Sequence, residues 1–191
     1  MKDKYTCFRE LALAEVYGVD YRICINRRPE SLILVVAPHG GSIERRTSHI
    51  ATAIAGAEYS YYLFEGLDPS GSFDDLHITS HRFDEPTCMR MIADVHSVVT
   101  IHGCAGKNKE VLIGGLDDRL KSIIESQLAD ADIAVNGDRH RFQGTHEKNI
   151  CNRGQRKMGV QLEFSDGLRG APEEAAAIEA VRDGIETFLF S

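Results

Sequence analysis

Leu32-Ile33-Leu34-Val35-Val36-Ala37 runs without interruption into Pro38-His39-Gly40-Gly41-Ser42-Ile43-Glu44, and this junction decides the fold. An unbroken apolar run of this length suits a strand covered on both faces, which requires packing layers on either side of its sheet. Working outward, comparable runs recur at 59–64, 76–79, 97–101, 111–113, 133–135 and 160–164. Helical patterns lie between them. Ser42 is expected to cap a helix with Glu44 in its first turn and Ile43, Ile50 and Ile54 along one side. Pro86 opens another with Met91, Ile92 and Val95; Asp117 caps a third with Leu120, Ile123, Ile124 and Leu128; Pro172-Glu173-Glu174 starts a last one with Ile178, Val181, Ile185 and Phe188. The alternation predicts an α/β fold: a single domain over residues 1–191 with a mixed or mainly parallel sheet between helical layers.

The composition fits that reading and excludes others. The 191 residues are 42% apolar and 27% charged, enough to build a core, so disordered, collagen-like and coiled-coil classes are excluded. No apolar run is long enough to span a bilayer, and MKDKYTCFREL at the N-terminus lacks the apolar core of a signal peptide, so synthesis in the cytoplasm is expected. The five cysteines, Cys7, Cys24, Cys88, Cys104 and Cys151, are scattered with no C-x-x-C pair, and read as reduced thiols. A formal charge of −7 argues against nucleic acid as a partner, because sequence-independent DNA affinity comes from Lys and Arg neutralising phosphates.

In open α/β sheets, ligands gather outside the carboxyl ends of the strands. The first long strand ends in His39, two glycines and Glu44, and the run 97–101 ends in His102-Gly103. If these strands are neighbours, His39, Glu44 and His102 converge. Two imidazoles and a carboxylate form a three-ligand zinc site with one open tetrahedral position, as catalytic zinc requires; a lone strand-end His is otherwise an ordinary hydrogen-bonded residue. On strand alternation Gln161 and Glu163 share one face of 160–164. That face is either the solvated side of an edge strand or the position of a general base beside an activated water.

These residues carry a resemblance. APHGGSIE (37–44), YLFEG (62–66), LHITS (76–80) with FDEP (83–86), IHG (101–103), IGGLD (113–117) and NICNRG (149–154) followed by GVQLEFSDGLR (159–169) together resemble the poly-γ-glutamate hydrolase family of phages and bacilli. Its members often carry the label of phage-related replication protein. The resemblance implies a zinc-carboxypeptidase-like (phosphorylase/hydrolase-like) fold. It also implies one Zn2+ per chain held by His39, Glu44 and His102, and cleavage of γ-glutamyl amide bonds by a metal-activated water with Glu163 as general base. Two alternatives stay open: a zinc amidohydrolase or carboxypeptidase acting on small N-acyl amino acids or peptides, and a replication-associated phage protein without hydrolase activity. The resemblance also suggests a capsule-degrading enzyme of prophage type, released by cell lysis; a monomer is expected.

A γ-glutamyl polymer presents one free α-carboxylate per residue, so an acidic protein needs local cations to bind it. Arg153, in the Asn152-Arg153-Gly154 turn, is the first candidate, with Arg82, Arg169 and Asn152 beside it. His77 is placed in a strand supporting the site, whereas His49, His96, His140 and His146 read as surface residues. Asp74, Asp75 and Asp84 are candidates to orient a ligand imidazole.

Overall fold

The structure is a computed structural model that describes residues 3–68, 73–136 and 140–191, with the side chains of residues 73 and 74 left aside. Its strands are β1 (Tyr21–Asn26), β2 (Ile33–Gly41), β3 (Ser60–Gly66), β4 (Ser97–Cys104), β5 (Glu110–Gly115), β6 (Ala134–Asn136) and β7 (Val160–Ser165). They form one mixed sheet in the order β1-β3-β2-β4-β7-β5-β6. The central strands β3, β2, β4 and β7 run parallel, β1 is antiparallel to β3, and β5 is antiparallel to β7.

The expected double covering is present and follows the two-residue period of the strand. Ile33, Val35 and Ala37 of β2 face a core completed by α2 (Thr47–Ala55), α5 (Asp118–Asp130) and α6 (Glu174–Phe190). Leu34 and Val36 face the opposite core, with Leu11 of α1 (Phe8–Ala14) and Met91 and Ile92 of α4 (Pro86–Asp94). Asp117 caps α5 by accepting the Leu120 N–H, and Glu85 caps α4 just before Pro86. No helix among the described residues is long and apolar enough to cross a membrane.

Two local expectations are corrected. The segment 76–79 is not a strand: Leu76 ends the short helix α3 (Phe73–Leu76), and residues 77–79 join no sheet. Alternating apolar residues alone cannot make a strand without a neighbour to pair with. Second, Ser42 does not cap a helix. β2 continues to Gly41, a turn follows, and α2 begins only at Thr47 after Arg46 in the left-handed region at φ 72°. The turn closes on itself through Glu44 N–H to the His39 carbonyl and Ile43 N–H to the Gly40 carbonyl. The glycines permit close packing: a Cβ at Gly41, whose φ is +65°, would stand 2.2 Å from the Gly66 carbonyl oxygen.

Candidate active site and metal centre

The residues singled out by strand ends are brought together by sheet order. β2 and β4 are neighbours, and so are β4 and β7, where His102 and Glu163 are Cα partners. Between Ala37 and Gly40 the β2–β3 register slips by one residue, a bulge at Pro38-His39. A bulge re-aims the side chain it carries, and Pro38 has no N–H to contribute to the ladder there. Glu44 reaches the same point from the turn, its Oε2 accepting the Gly103 N–H at 2.8 Å. Strand β7 lies inside the sheet, so the solvated-edge reading of Gln161 and Glu163 does not apply, and both are buried.

The geometry tests directly whether these residues suit a metal. His39 Nε2 lies 2.9 Å from the Ile78 carbonyl, which only accepts, so Nε2 carries the hydrogen and neutral His39 has its lone pair on Nδ1. That Nδ1 stands 3.1 Å from Glu44 Oε1 and 3.2 Å from His102 Nδ1, and His102 Nδ1 is 3.7 Å from Glu44 Oε2. Tetrahedral zinc with bonds of about 2.0–2.2 Å holds its ligand atoms about 3.3–3.6 Å apart. Three electron-pair donors at nearly that spacing, all buried, are a fitting cradle for one cation. His77 adds a ligand atom within 4.8 Å of those of His39 and Glu44, its ring centroid 4.1 Å from that of His39.

With protein groups alone the cluster polarises itself. Burial opposes charge on Glu44, yet His39, His102 and the Gly103 N–H hold its carboxyl down to about 2. Burial also opposes charge on His39, but the Glu44 carboxylate outweighs it and keeps the imidazole above its usual value. Burial pushes His102 down to about 3 and His77 down to about 4. Burial and the nearby Glu44 charge raise Glu163 well above the carboxylate range. Its Oε1 accepts from Gln161 Nε2 at 3.0 Å, and Gln161 is in turn fixed by Asn149.

These groups line a cavity of about 740 Å³. One wall is the segment 77–81, another is 103–105, and a third is the loop 141–146. Cys104 is on the wall as a neutral thiol, pushed by burial up to about 12, and so offers no ready thiolate ligand. Sequence reasoning missed Arg141, a cavity-lining cation on that third wall, because nothing local marks it. His146, read as a surface residue, stacks on His81 at the cavity rim with ring centroids 4.9 Å apart.

The proposed carboxylate binders fare differently. Arg169 packs flat on Gly103, beside His102, where a Cβ would stand 2.6 Å from its Nη1. It pairs with Asp166, donates to the carbonyls of Arg45 and Cys104, and lines an adjoining cavity of about 470 Å³ with Arg45 and Arg46. Arg82, Arg153 and Asn152 are not on the main cavity wall. Arg82 is exposed, and Arg153 donates to the Phe83 carbonyl. Asn152 is spent on backbone: Oδ1 accepts from Leu116 and Gly159, and Nδ2 donates to the carbonyls of Gly144 and His146. It therefore holds the cavity loop rather than facing the cavity. Of the aspartates expected to orient an imidazole, Asp75 pairs with Lys4 and Asp84 accepts from the Phe8 N–H, while the side chain of Asp74 lies outside the described residues. Besides Glu44, a carboxylate outside that set meets a cavity histidine: Asp3, 2.8 Å from His77 Nδ1.

The chain is similar to proteins of known family and structure. Residues 5–180 match the family described as poly-gamma-glutamate hydrolase. This chain belongs to the poly-γ-glutamate hydrolase family. Its family and fold are those of an amide-bond hydrolase. The solved structure of a bacteriophage poly-γ-glutamate hydrolase superposes with a TM-score of 0.94 at 32% identity, covering 99% of both chains. YndL in its zinc-free apo form superposes with a TM-score of 0.85 at 31% identity, covering 100% of this chain and 98% of the other. Among curated proteins, the SPbeta prophage-derived YoqZ of Bacillus subtilis (strain 168) is 39% identical over 172 residues. That match covers 87% of this chain but spans only 60% of the length of YoqZ.

Proposed function

We propose that this chain hydrolyses γ-glutamyl amide bonds of poly-γ-glutamate, with one zinc ion held by His39, Glu44 and His102 and with Glu163 as the proton-transferring group. The observation that carries the reading is the convergence of the Nδ1 atoms of His39 and His102 with the Glu44 carboxylate, which turns Oε1 to His39 and Oε2 to His102, beside Glu163 and inside a family of this activity. A bound zinc would supply Lewis acidity for the scissile carbonyl and the attacking water, and positive charge that returns Glu163 toward its ionised form. Glu163 then takes a proton from the attacking water and delivers it to the departing amine nitrogen. Gln161 fixes the Glu163 carboxylate by donating to Oε1, which leaves its other oxygen for that exchange.

Binding a polycarboxylate with a chain of charge −7 demands cations placed at the site. Arg141, on the cavity wall, and Arg169, packed on Gly103 beside His102, serve that role in this reading. Arg141→Ala is expected to raise KM for the polymer about tenfold or more, the worth of one charged hydrogen bond, with zinc content unchanged. An unaltered KM removes Arg141 from substrate binding.

Viscometry of long poly-γ-glutamate, run beside elemental analysis of the same preparation, tests the whole reading. A fall in viscosity with one zinc per chain is expected. Release of glutamate from short γ-glutamyl peptides with no fall in viscosity would replace the polymer by a small substrate.

A further inference from the structure

The two candidate imidazole ligands share an outer support. His39 Nε2 donates to the Ile78 carbonyl at 2.9 Å, His102 Nε2 lies 3.4 Å from Ser80 Oγ, and the His77 ring lies against that of His39 at a 32° tilt, with centroids 4.1 Å apart. All three contacts come from residues 77–80. Yet this segment pairs with no strand, so the sheet does not position it. Metal-binding histidines depend on such outer partners for tautomer and ring orientation, so whatever holds 77–80 holds the metal centre.

The hold comes from a residue 74 positions upstream of His77. Asp3, with its side chain 7% exposed, takes three hydrogen bonds from this segment. Oδ1 lies 2.8 Å from His77 Nδ1, while Oδ2 accepts from Thr79 N–H at 2.9 Å and from Thr79 Oγ1 at 2.7 Å. A carboxylate only accepts, so His77 carries its hydrogen on Nδ1. The single residue between those two anchors is Ile78, whose carbonyl sets the tautomer of His39. We propose that Asp3 is a positioning residue of the metal centre, clamping residues 77–80 so that His39 and His102 keep the orientation in which their Nδ1 atoms converge with Glu44. The N-terminal segment, which carries no catalytic motif of its own, thereby becomes part of the site. This rests on the zinc reading proposed above.

Zinc affinity, measured by competition with a chromophoric chelator, tests the role independently of turnover. Asp3→Ala removes every clamp bond. Asp3→Asn keeps an oxygen for Thr79 but turns an amide N–H₂ toward the His77 Nδ1–H, breaking one arm of the clamp. Wild type is expected to bind one zinc per chain. Asp3→Ala is expected to bind zinc about 10–100-fold more weakly, and Asp3→Asn more weakly than wild type but less affected than Ala. Asp75→Asn, which alters a surface partner of Lys4, should match wild type. Affinity within twofold of wild type in both Asp3 variants overturns the proposal, whatever happens to Tm, and so does an equal loss in Asp75→Asn. If Asp3→Ala fails to fold, the Asn variant alone decides. Wild type that takes up no zinc overturns the metal reading, whereas normal wild-type binding with unaffected Asp3 variants overturns only the clamp.

Discussion

Glu163→Gln is expected to retain one zinc per chain while hydrolysing poly-γ-glutamate about 10²–10⁴-fold more slowly, the usual worth of a positioned general base. The amide is nearly isosteric and its oxygen still accepts from Gln161 Nε2, so the surrounding hydrogen bonds survive. What disappears is the ability to take and return a proton. The same variant should be at least as stable as wild type when metal-free at neutral pH. Burial and Glu44 raise the folded-state value of Glu163 above its ordinary one. A carboxyl raised on folding binds a proton that the unfolded chain has released, so its stabilising contribution is present below the ordinary value and is lost as pH rises through the raised one. The Gln variant lacks that loss. Metal-free wild type should therefore lose Tm from the ordinary carboxylate range upward more steeply than Glu163→Gln. Full activity in the variant would remove the base assignment, and a large drop in its Tm would make Glu163 a structural residue.

His39→Ala and His102→Ala are expected to fail at an earlier step, losing zinc itself. Each deletes one of three donors standing 3.1–3.7 Å apart and leaves the others with too few partners to displace water from the ion. The loss of affinity should exceed the roughly 10–100-fold that removal of an outer partner costs. His39→Ala also removes the ring against which His77 packs. Zinc measured per chain after dialysis, with circular dichroism to confirm folding, separates these variants from Glu163→Gln. A folded His102→Ala that still holds one zinc per chain would disprove the ligand set.

Much of this site was legible in the sequence because sheet physics makes it so. Strands buried on both faces are written as apolar runs, and a His-Gly at the end of such a run has little structural purpose. The runs at β2, β4 and β7 therefore exposed His39, His102 and Glu163 before any coordinate was known. Other readings failed where the decisive partner is distant in the chain. The apolar alternation of 76–79 resembles a strand, yet no neighbour pairs with it. Asn152 and Arg153 looked suited to carboxylates, but neither lines the cavity: backbone groups hold the Asn152 amide, and Arg153 reaches the Phe83 carbonyl. Arg141 and Asp3 had no local signature at all.

The histidines show the same division. Five of the eight, His39, His77, His81, His102 and His146, line one cavity, whereas strand ends alone pointed to two ligands and one supporting residue. By itself the sequence determined the α/β class and the residue types at the strand ends, since periodicity and strand-end chemistry are local properties. Only the tertiary structure decided which loops close over those ends and which carboxylate meets which imidazole. Contacts such as Asp3 with His77 join residues 74 positions apart, and only packing of the whole chain brings them together.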